Sequence, residues 1–300
     1  MRAALAENHC LDEGCITLGN GSNDVLELIA RVFLAPGCSA VFSEYAFAVY
    51  PLVTQAVGAE ARVASAFPAD HPVMPYGHDL DSFSRQINAT TRVVFIANPN
   101  NPTGTWLAKD ELENFIKSVS QDTVVVLDEA YYEYMPDQLK PDTDSWLKKY
   151  SNLIVTRTFS KIYGLAGLRI GYAISHPDIA ELLNRIRQPF NVNMIAQHAA
   201  LAAINDLEHI NNSVDLNNVG LQQLISGLKL LGLNFIPTIG NFLTADMGCE
   251  ASTVYTKLLA EGIIVRPLAN YSLPDHLRIT VGTEEQNARF LKALEKCIHD

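Results

Sequence analysis

The sequence predicts an α/β protein in which a mostly parallel β-sheet lies between layers of helices, followed by a smaller α+β domain. Strand-like runs such as residues 92–97 and 123–128 are apolar on both faces and rich in β-branched residues. Such runs are typical of parallel strands that helices cover on both sides. They alternate with helical patterns along the first part of the chain. The length of 300 residues, with 48 % apolar and 18 % charged side chains, suffices for a large buried core.

The elements of the larger domain follow in order along the chain. A Gly-rich turn at residues 19–24 leads into an amphipathic helix, because apolar residues recur on one helical face after it. Each later apolar run is short and ends at a polar residue, which favours a strand. We predict strands at 41–42, 92–97, 123–128, 152–156 and 170–174. We predict helices at 46–57, 108–119 and 145–150.

The pattern changes after about residue 177, where long helical stretches come first and short strands follow. We predict helices at 177–187, 193–231, 251–261 and 284–297. We predict strands at 233–236, 242–245, 263–265 and 277–281. This mixture indicates an α+β domain. We therefore divide the chain into a large domain at residues 1–205 and a small domain at residues 206–300.

Charge and composition exclude several classes of function. The net charge is −11 and no basic block occurs, so binding of nucleic acid or anionic membranes is not expected. No run of about eighteen apolar residues suggests a membrane span. Five scattered cysteines and an N-terminus without an apolar segment favour the cytoplasm. His71 and His78 fall in a Pro/Gly-rich stretch without further ligands at metal-binding spacing, so we expect a solvated loop and no metal.

Polar side chains follow three of the predicted strands. The loop at 98–104, with Asn101 in it, follows the first, and Asp128 ends the second. The stretch at 157–169, which contains Lys161, follows the third. Ligands of open α/β sheets bind at the carboxyl ends of strands, so we expect these groups to meet.

The residue types at this edge suit pyridoxal phosphate. A Gly-rich turn that opens a helix presents free backbone N–H groups to a phosphate. A lysine amine can form a Schiff base with the aldehyde. A buried acid such as Asp128 can keep the pyridine nitrogen protonated, so that the ring accepts electrons from the substrate.

Several motifs resemble those of fold-type I aminotransferases, namely NPNNPTG, DEAY, SK-x7-R and LRIT. The motifs of this chain most closely resemble those of the histidinol-phosphate aminotransferase family. The longer matching stretches are GNGSND, SEYAFAVYPLVTQAVGA, FIANPNNPTGT, RTFSKIYGLAGLRIGY, RQPFNVN and IVRPLANYSLPDHLRIT. The resemblance runs from about residue 15 to the C-terminus. It implies a large domain with a seven-stranded, mostly parallel sheet and a small α+β domain.

The resemblance also implies roles at the cofactor. Lys161 would be the Schiff-base lysine and would shuttle a proton, and Asp128 would pair with the pyridinium nitrogen. Tyr131 and Asn101 would bond the phenolic oxygen, and Phe47 would stack on the ring. The implied phosphate ligands are the backbone of Ser22 and Asn23 with Thr158, Ser160 and Arg169.

For the substrate, the resemblance assigns Arg278 to a carboxylate, which it would bind through two hydrogen bonds, and Arg266 to a second contact. The implied reaction is transamination between histidinol phosphate and 2-oxoglutarate or glutamate, in a homodimer with active sites at the interface. Two other reactions stay open, an aromatic amino-acid aminotransferase and a decarboxylase of a phosphorylated amino acid.

A non-catalytic relative that binds cofactor or a partner chain is the alternative from another class. Family members usually carry an N-terminal arm with Asn-Glu-Asn-Pro and Arg-Tyr-Pro stretches, which covers the substrate and reaches the partner's cofactor. This sequence begins within the helix that precedes the first strand, so we expect the arm to be missing.

Overall fold

The computed structural model describes residues 1–299, and its largest feature is a seven-stranded sheet in the order β1-β7-β6-β5-β4-β2-β3. The strands are β1 Ile16–Gly19, β2 Ser39–Ser43, β3 Glu60–Ala64, β4 Thr91–Ala97, β5 Val124–Asp128, β6 Leu153–Thr158 and β7 Gly171–Ser175. Four neighbouring pairs are parallel, namely β3 with β2, β2 with β4, β4 with β5, and β5 with β6. Strand β7 pairs antiparallel with both β6 and β1. The predicted α/β fold with a mostly parallel seven-stranded sheet is confirmed.

Helices cover both faces of this sheet. They are α1 Arg2–Asn8, α2 Ser22–Phe33, α3 Val49–Ala56, α4 Leu80–Gln86, α5 Lys109–Ser118, α6 Thr143–Lys149, α7 Pro177–Ile186 and α8 Met194–Ala203. Alternate strand residues enter two separate cores, because side chains of a strand point to opposite faces in turn. Val124 and Val126 pack with α2 and α3, whereas Val125 and Leu127 pack with α5 and α6.

A second, smaller sheet follows in the order β8-β10-β9, with both pairs antiparallel. Its elements are α9 Leu207–Leu230, β8 Phe242–Asp246, α10 Ala251–Ala260, β9 Arg266–Leu268, β10 Leu273–Thr280 and α11 Glu284–His299. Its own core includes Leu224, Leu258 and Leu277. The boundary proposed at residues 205 and 206 falls between α8 and α9, at the start of this second set of elements.

Several predicted elements were wrong. The helix predicted at 193–231 is interrupted, because Asp206 caps a new helix by accepting a hydrogen bond from the His209 backbone N–H. The strand predicted at 233–236 is reduced to one bridge between Phe235 and Ala245. The strand predicted at 263–265 forms three residues later, as β9.

The expectation of a solvated loop is wrong for His78. This side chain is buried, contacts Phe83, and lies 3.1 Å from the carbonyl oxygen of Ala97. Burial lowers the pKa of His78 to about 4, so the ring is neutral near pH 7. No helix within residues 1–299 combines the length and the apolar character that a bilayer crossing requires.

Candidate active site

A cavity of about 200 Å³ lies at the carboxyl ends of β4, β5 and β6, beside the amino end of α2. Parallel strands bring these ends to one edge of the sheet. All ten residues predicted to bind the cofactor line it: Ser22, Asn23, Phe47, Asn101, Asp128, Tyr131, Thr158, Ser160, Lys161 and Arg169. The cavity therefore unites residues that lie up to 147 positions apart, from Ser22 to Arg169.

One end of the cavity is built to receive an anion. Ser22 begins α2, whose first backbone N–H groups have no partner within the helix. Arg169 Nη1 lies 3.2 Å from Ser160 Oγ and donates to the carbonyl of Ala166. Gly21, at φ +82°, permits this closeness, because a Cβ there would lie 2.3 Å from Arg169 Nη2. A cation and a helix amino end thus face the same space.

Asp128 is the buried acid of the cavity. Thr156 Oγ1 donates to its Oδ1 at 3.1 Å and the Tyr50 hydroxyl donates to its Oδ2 at 2.8 Å. Burial raises the pKa of Asp128, and these two hydrogen bonds oppose the rise. In the part of the chain that the structure describes, no cation forms a salt bridge with Asp128. This carboxylate lines the cavity and can therefore pair with a positively charged group of a bound ligand.

Lys161 lies in the turn after β6 and lines the same cavity as Asp128 and Arg169. Its Nζ is 5.0 Å from the centre of the Tyr131 ring. Among the described residues, no carboxylate lies within salt-bridge distance of Nζ. An amine without an ionic partner, in a cavity with an acid and a phenol, is suited to react with an aldehyde.

Arg278 and Arg266 lie beside the cavity but are not part of its lining. They face each other as register partners on β10 and β9. Arg278 Nη1 donates to Asn101 Oδ1 at 2.5 Å, and its Nε is buried without a partner. Two neighbouring cations without a carboxylate partner among residues 1–299 favour binding of an anionic substrate group.

Sequence reasoning missed Tyr50 and the pair of Glu129 and Arg157. Tyr50 stands three residues after Phe47, and their rings meet edge to face at 5.9 Å. That spacing of i and i+3 is the signal that could have found it. Glu129 and Arg157 lie on the other face of the sheet, where Arg157 Nη2 is 2.7 Å from Glu129 Oε2.

Comparison with known proteins places this geometry in a family. The model of the class I and II aminotransferases matches residues 1–294. The chain belongs to this family. It is therefore an aminotransferase, and the predicted enzyme class is confirmed.

Two similar aminotransferases are histidinol-phosphate aminotransferase 2 of Pseudomonas fluorescens and histidinol-phosphate aminotransferase 1 of Dechloromonas aromatica. The first is 54 % identical over 298 residues, which are 99 % of this chain and 79 % of the relative. The second is 54 % identical over 296 residues, which are 99 % of this chain and 80 % of the relative.

A solved aminotransferase structure with the same fold is that of histidinol-phosphate aminotransferase from Sinorhizobium meliloti in complex with pyridoxal-5'-phosphate. It is 27 % identical, with a TM-score of 0.89 over 99 % of this chain and 80 % of that chain. The fold predicted for this aminotransferase therefore agrees with a solved relative along nearly its whole length.

Proposed function

We propose that this aminotransferase uses pyridoxal phosphate to transfer the amino group of histidinol phosphate to 2-oxoglutarate, a step of histidine biosynthesis. One observation carries the proposal: Lys161 shares one cavity with a buried acid and an anion-binding helix end. The similarity to histidinol-phosphate aminotransferases of two other bacteria supports the substrate, and the complex of the Sinorhizobium meliloti enzyme supports the cofactor.

The residues of the cavity fit the cofactor group by group. The amino end of α2, with Arg169 and Ser160, matches a phosphate. Asp128, which has only neutral donors, matches a protonated ring nitrogen. Phe47 lines the cavity with an apolar ring on which a pyridine ring can stack.

When bound, pyridoxal phosphate supplies an electron-accepting ring and an aldehyde that carries the amino group between substrates. Each side chain then has a distinct task. The Asp128 carboxylate keeps a proton on the ring nitrogen. Lys161 Nζ would hold the cofactor through its aldehyde and would carry a proton to and from the substrate. Tyr131 and Asn101, which also line the cavity, would orient the ring by hydrogen bonds to its phenolic oxygen.

The two arginines beside the cavity suit both substrates. Histidinol phosphate carries a phosphate and 2-oxoglutarate carries two carboxylates, so each presents an anionic group that a cation beside the cavity can bind. Arg278 and Arg266 are register partners on adjacent strands and would bind these groups in turn. A shared anion site predicts double-displacement kinetics, in which the amino donor's product leaves before the acceptor binds.

Turnover of two amino donors tests the substrate. With 2-oxoglutarate as acceptor, we expect kcat/KM for histidinol phosphate to exceed that for phenylalanine by at least about 100-fold, because only the former presents a phosphate to Arg278. A preference for phenylalanine would favour an aromatic amino-acid aminotransferase. Release of carbon dioxide from a phosphorylated amino acid would favour a decarboxylase. Bound cofactor without any turnover would favour the non-catalytic alternative.

We further propose a homodimer. Phe190 is 95 % exposed and holds a backbone φ of +57°, with Met194 and Ile195 exposed nearby. Such an apolar patch supports a protein interface. Light scattering should give twice the 33.0 kDa mass of the chain, and serine at all three positions should reduce it. A single-chain mass for the wild type would contradict the dimer.

A cytoplasmic location is also a proposal. Cys10, Cys15, Cys38 and Cys249 are free thiols, which fits a reducing compartment. Fractionation of cells that express the full-length gene would test it, with the enzyme expected beside cytoplasmic markers.

A further inference from the structure

Tyr50 is a fully buried tyrosine in the first turn of α3, next to the proposed cofactor cavity. Its ring stacks on Phe95 at 4.9 Å with an angle of 5° between the planes. Its hydroxyl donates to Asp128 Oδ2 at 2.8 Å. Tyr50 does not itself line the cavity, so it can act on a ligand there only through Asp128.

Packing alone does not require this hydroxyl. Phe95 and Phe47 surround the ring with apolar contacts, which a phenylalanine at position 50 would make equally well. A buried hydroxyl loses its hydrogen bonds to water, and here it recovers one from a single carboxylate. Burial, followed by the nearby Asp128 charge, raises the pKa of Tyr50 well above its ordinary value, so the phenol remains a donor.

The two oxygens of Asp128 receive one hydroxyl each, since Thr156 Oγ1 donates to Oδ1 at 3.1 Å. Two donors on separate oxygens fix the plane of a carboxylate, because rotation would break both hydrogen bonds. The other titratable groups that act on this pair are Tyr131, Lys161 and Tyr271. Lys161 alone among these five side chains is basic.

We propose that Tyr50 is a positioning residue that holds the Asp128 carboxylate in one orientation and keeps it charged, so that the proton stays on the cofactor's ring nitrogen. This inference rests on the proposed function, because it assigns Asp128 to that nitrogen. A carboxylate that loses a donor becomes more basic and attracts the proton away from the ring. The ring then accepts electrons less well.

Tyr50→Phe tests the proposal, because it deletes the hydroxyl and keeps the ring. Thr156→Val removes the other side-chain donor to Asp128 with little change in shape, and the backbone N–H of Ala130 remains in every variant. Tyr172→Phe is the matched control, since Tyr172 is also buried but its hydroxyl bonds His9, away from the cavity. Each cofactor-loaded variant is measured for kcat, for KM and for the pH midpoint of its visible absorbance change.

We expect Tyr50→Phe to lower kcat about ten-fold, the loss typical of one hydrogen bond to a charged group, while KM changes less than about two-fold. The absorbance midpoint should move to higher pH, because a less positive ring holds the proton of the lysine–cofactor linkage more tightly. Thr156→Val should also lower kcat and raise the absorbance midpoint, and Tyr172→Phe should leave kcat and the midpoint near their wild-type values. A packing role alone would leave the midpoint unmoved.

A second variant keeps the proposal testable if Tyr50→Phe does not fold. A fluorotyrosine at position 50 retains the shape and makes the hydroxyl a stronger donor, so the midpoint should move to lower pH. If the wild type is active but the pH midpoint of the absorbance change does not move in either variant, the proposed role of Tyr50 is refuted and the proposed function is not affected. A wild type that neither binds the cofactor through lysine nor transfers an amino group overturns the proposed function itself.

Discussion

Asp128 and Glu129 are neighbours at the end of β5, yet they point to opposite faces of the sheet. Asp128 faces α3 and the cavity, where its partners are the neutral hydroxyls of Tyr50 and Thr156. Glu129 faces the other layer, where Arg157 Nε donates to its Oε2 at 2.9 Å and Arg157 Nη2 forms a salt bridge with the same oxygen. Both side chains are buried.

The two carboxylates differ in whether the chain itself supplies a cation to neutralise them. The Glu129 carboxylate has its own cation, and it raises the pKa of Arg157 well above its ordinary value despite burial. Asp128 has no salt-bridge partner within residues 1–299, which supports the proposal that a cation bound in the cavity pairs with it. A buried carboxylate with only neutral donors is the one that marks the site.

The largest expected effect comes from breaking the structural pair. Arg157→Met leaves Glu129 buried without a cation and should lower the free energy of unfolding by about 3–5 kcal/mol. Adding Glu129→Gln should restore most of this loss, because the uncompensated charge is gone. Arg31→Met, which breaks the exposed pair with Glu27, is the control and should cost at most about 1 kcal/mol. Denaturant unfolding measures all four proteins, and a double variant as unstable as the single one would contradict the pairing.

The functional carboxylate should behave in the opposite way. Asp128→Asn keeps the shape but cannot hold a proton on the ring nitrogen, so kcat should fall about 10²- to 10³-fold. The free energy of unfolding of the cofactor-free protein should not fall. Steady-state kinetics and denaturant unfolding check the two parts, and an active Asp128→Asn enzyme would refute the role of Asp128.

A smaller effect should appear in the pH dependence of stability. Burial raises the pKa of Asp128, so its carboxylate is protonated at a higher pH in the cofactor-free native state than in the unfolded state. The contribution of Asp128 to stability therefore falls as pH rises from its ordinary value of 3.8 through the folded pKa, by at most about 1.4 kcal/mol per pH unit. The difference between wild type and Asp128→Asn, measured by unfolding at several pH values, should follow this slope. A constant difference would contradict it.

Much of the site could be predicted from the sequence, because functional groups of an α/β sheet follow the ends of apolar strands. Asp128 and Lys161 were identified in this way. The sequence also shows that strand residues alternate between the two faces of the sheet, but it does not show which face holds the cavity. The pair of Glu129 and Arg157 was therefore missed. Tyr50 was missed because an apolar helix pattern does not reveal where a hydroxyl points.

Other differences arise from local interactions that periodicity does not encode. The Asp206 cap divides a continuous apolar pattern into α8 and α9. His78 lies in a stretch of turn residues, yet its ring is buried beside Phe83. Both outcomes depend on single hydrogen bonds or contacts between elements.

We propose above that Lys161 anchors pyridoxal phosphate in the cavity that Asp128 also lines. Borohydride reduction of the cofactor-loaded protein, followed by digestion and mass spectrometry, tests it most directly. We expect the reduced cofactor on the peptide that contains Lys161, and none on the Lys161→Ala variant. Label on another lysine, or on no lysine, would contradict it.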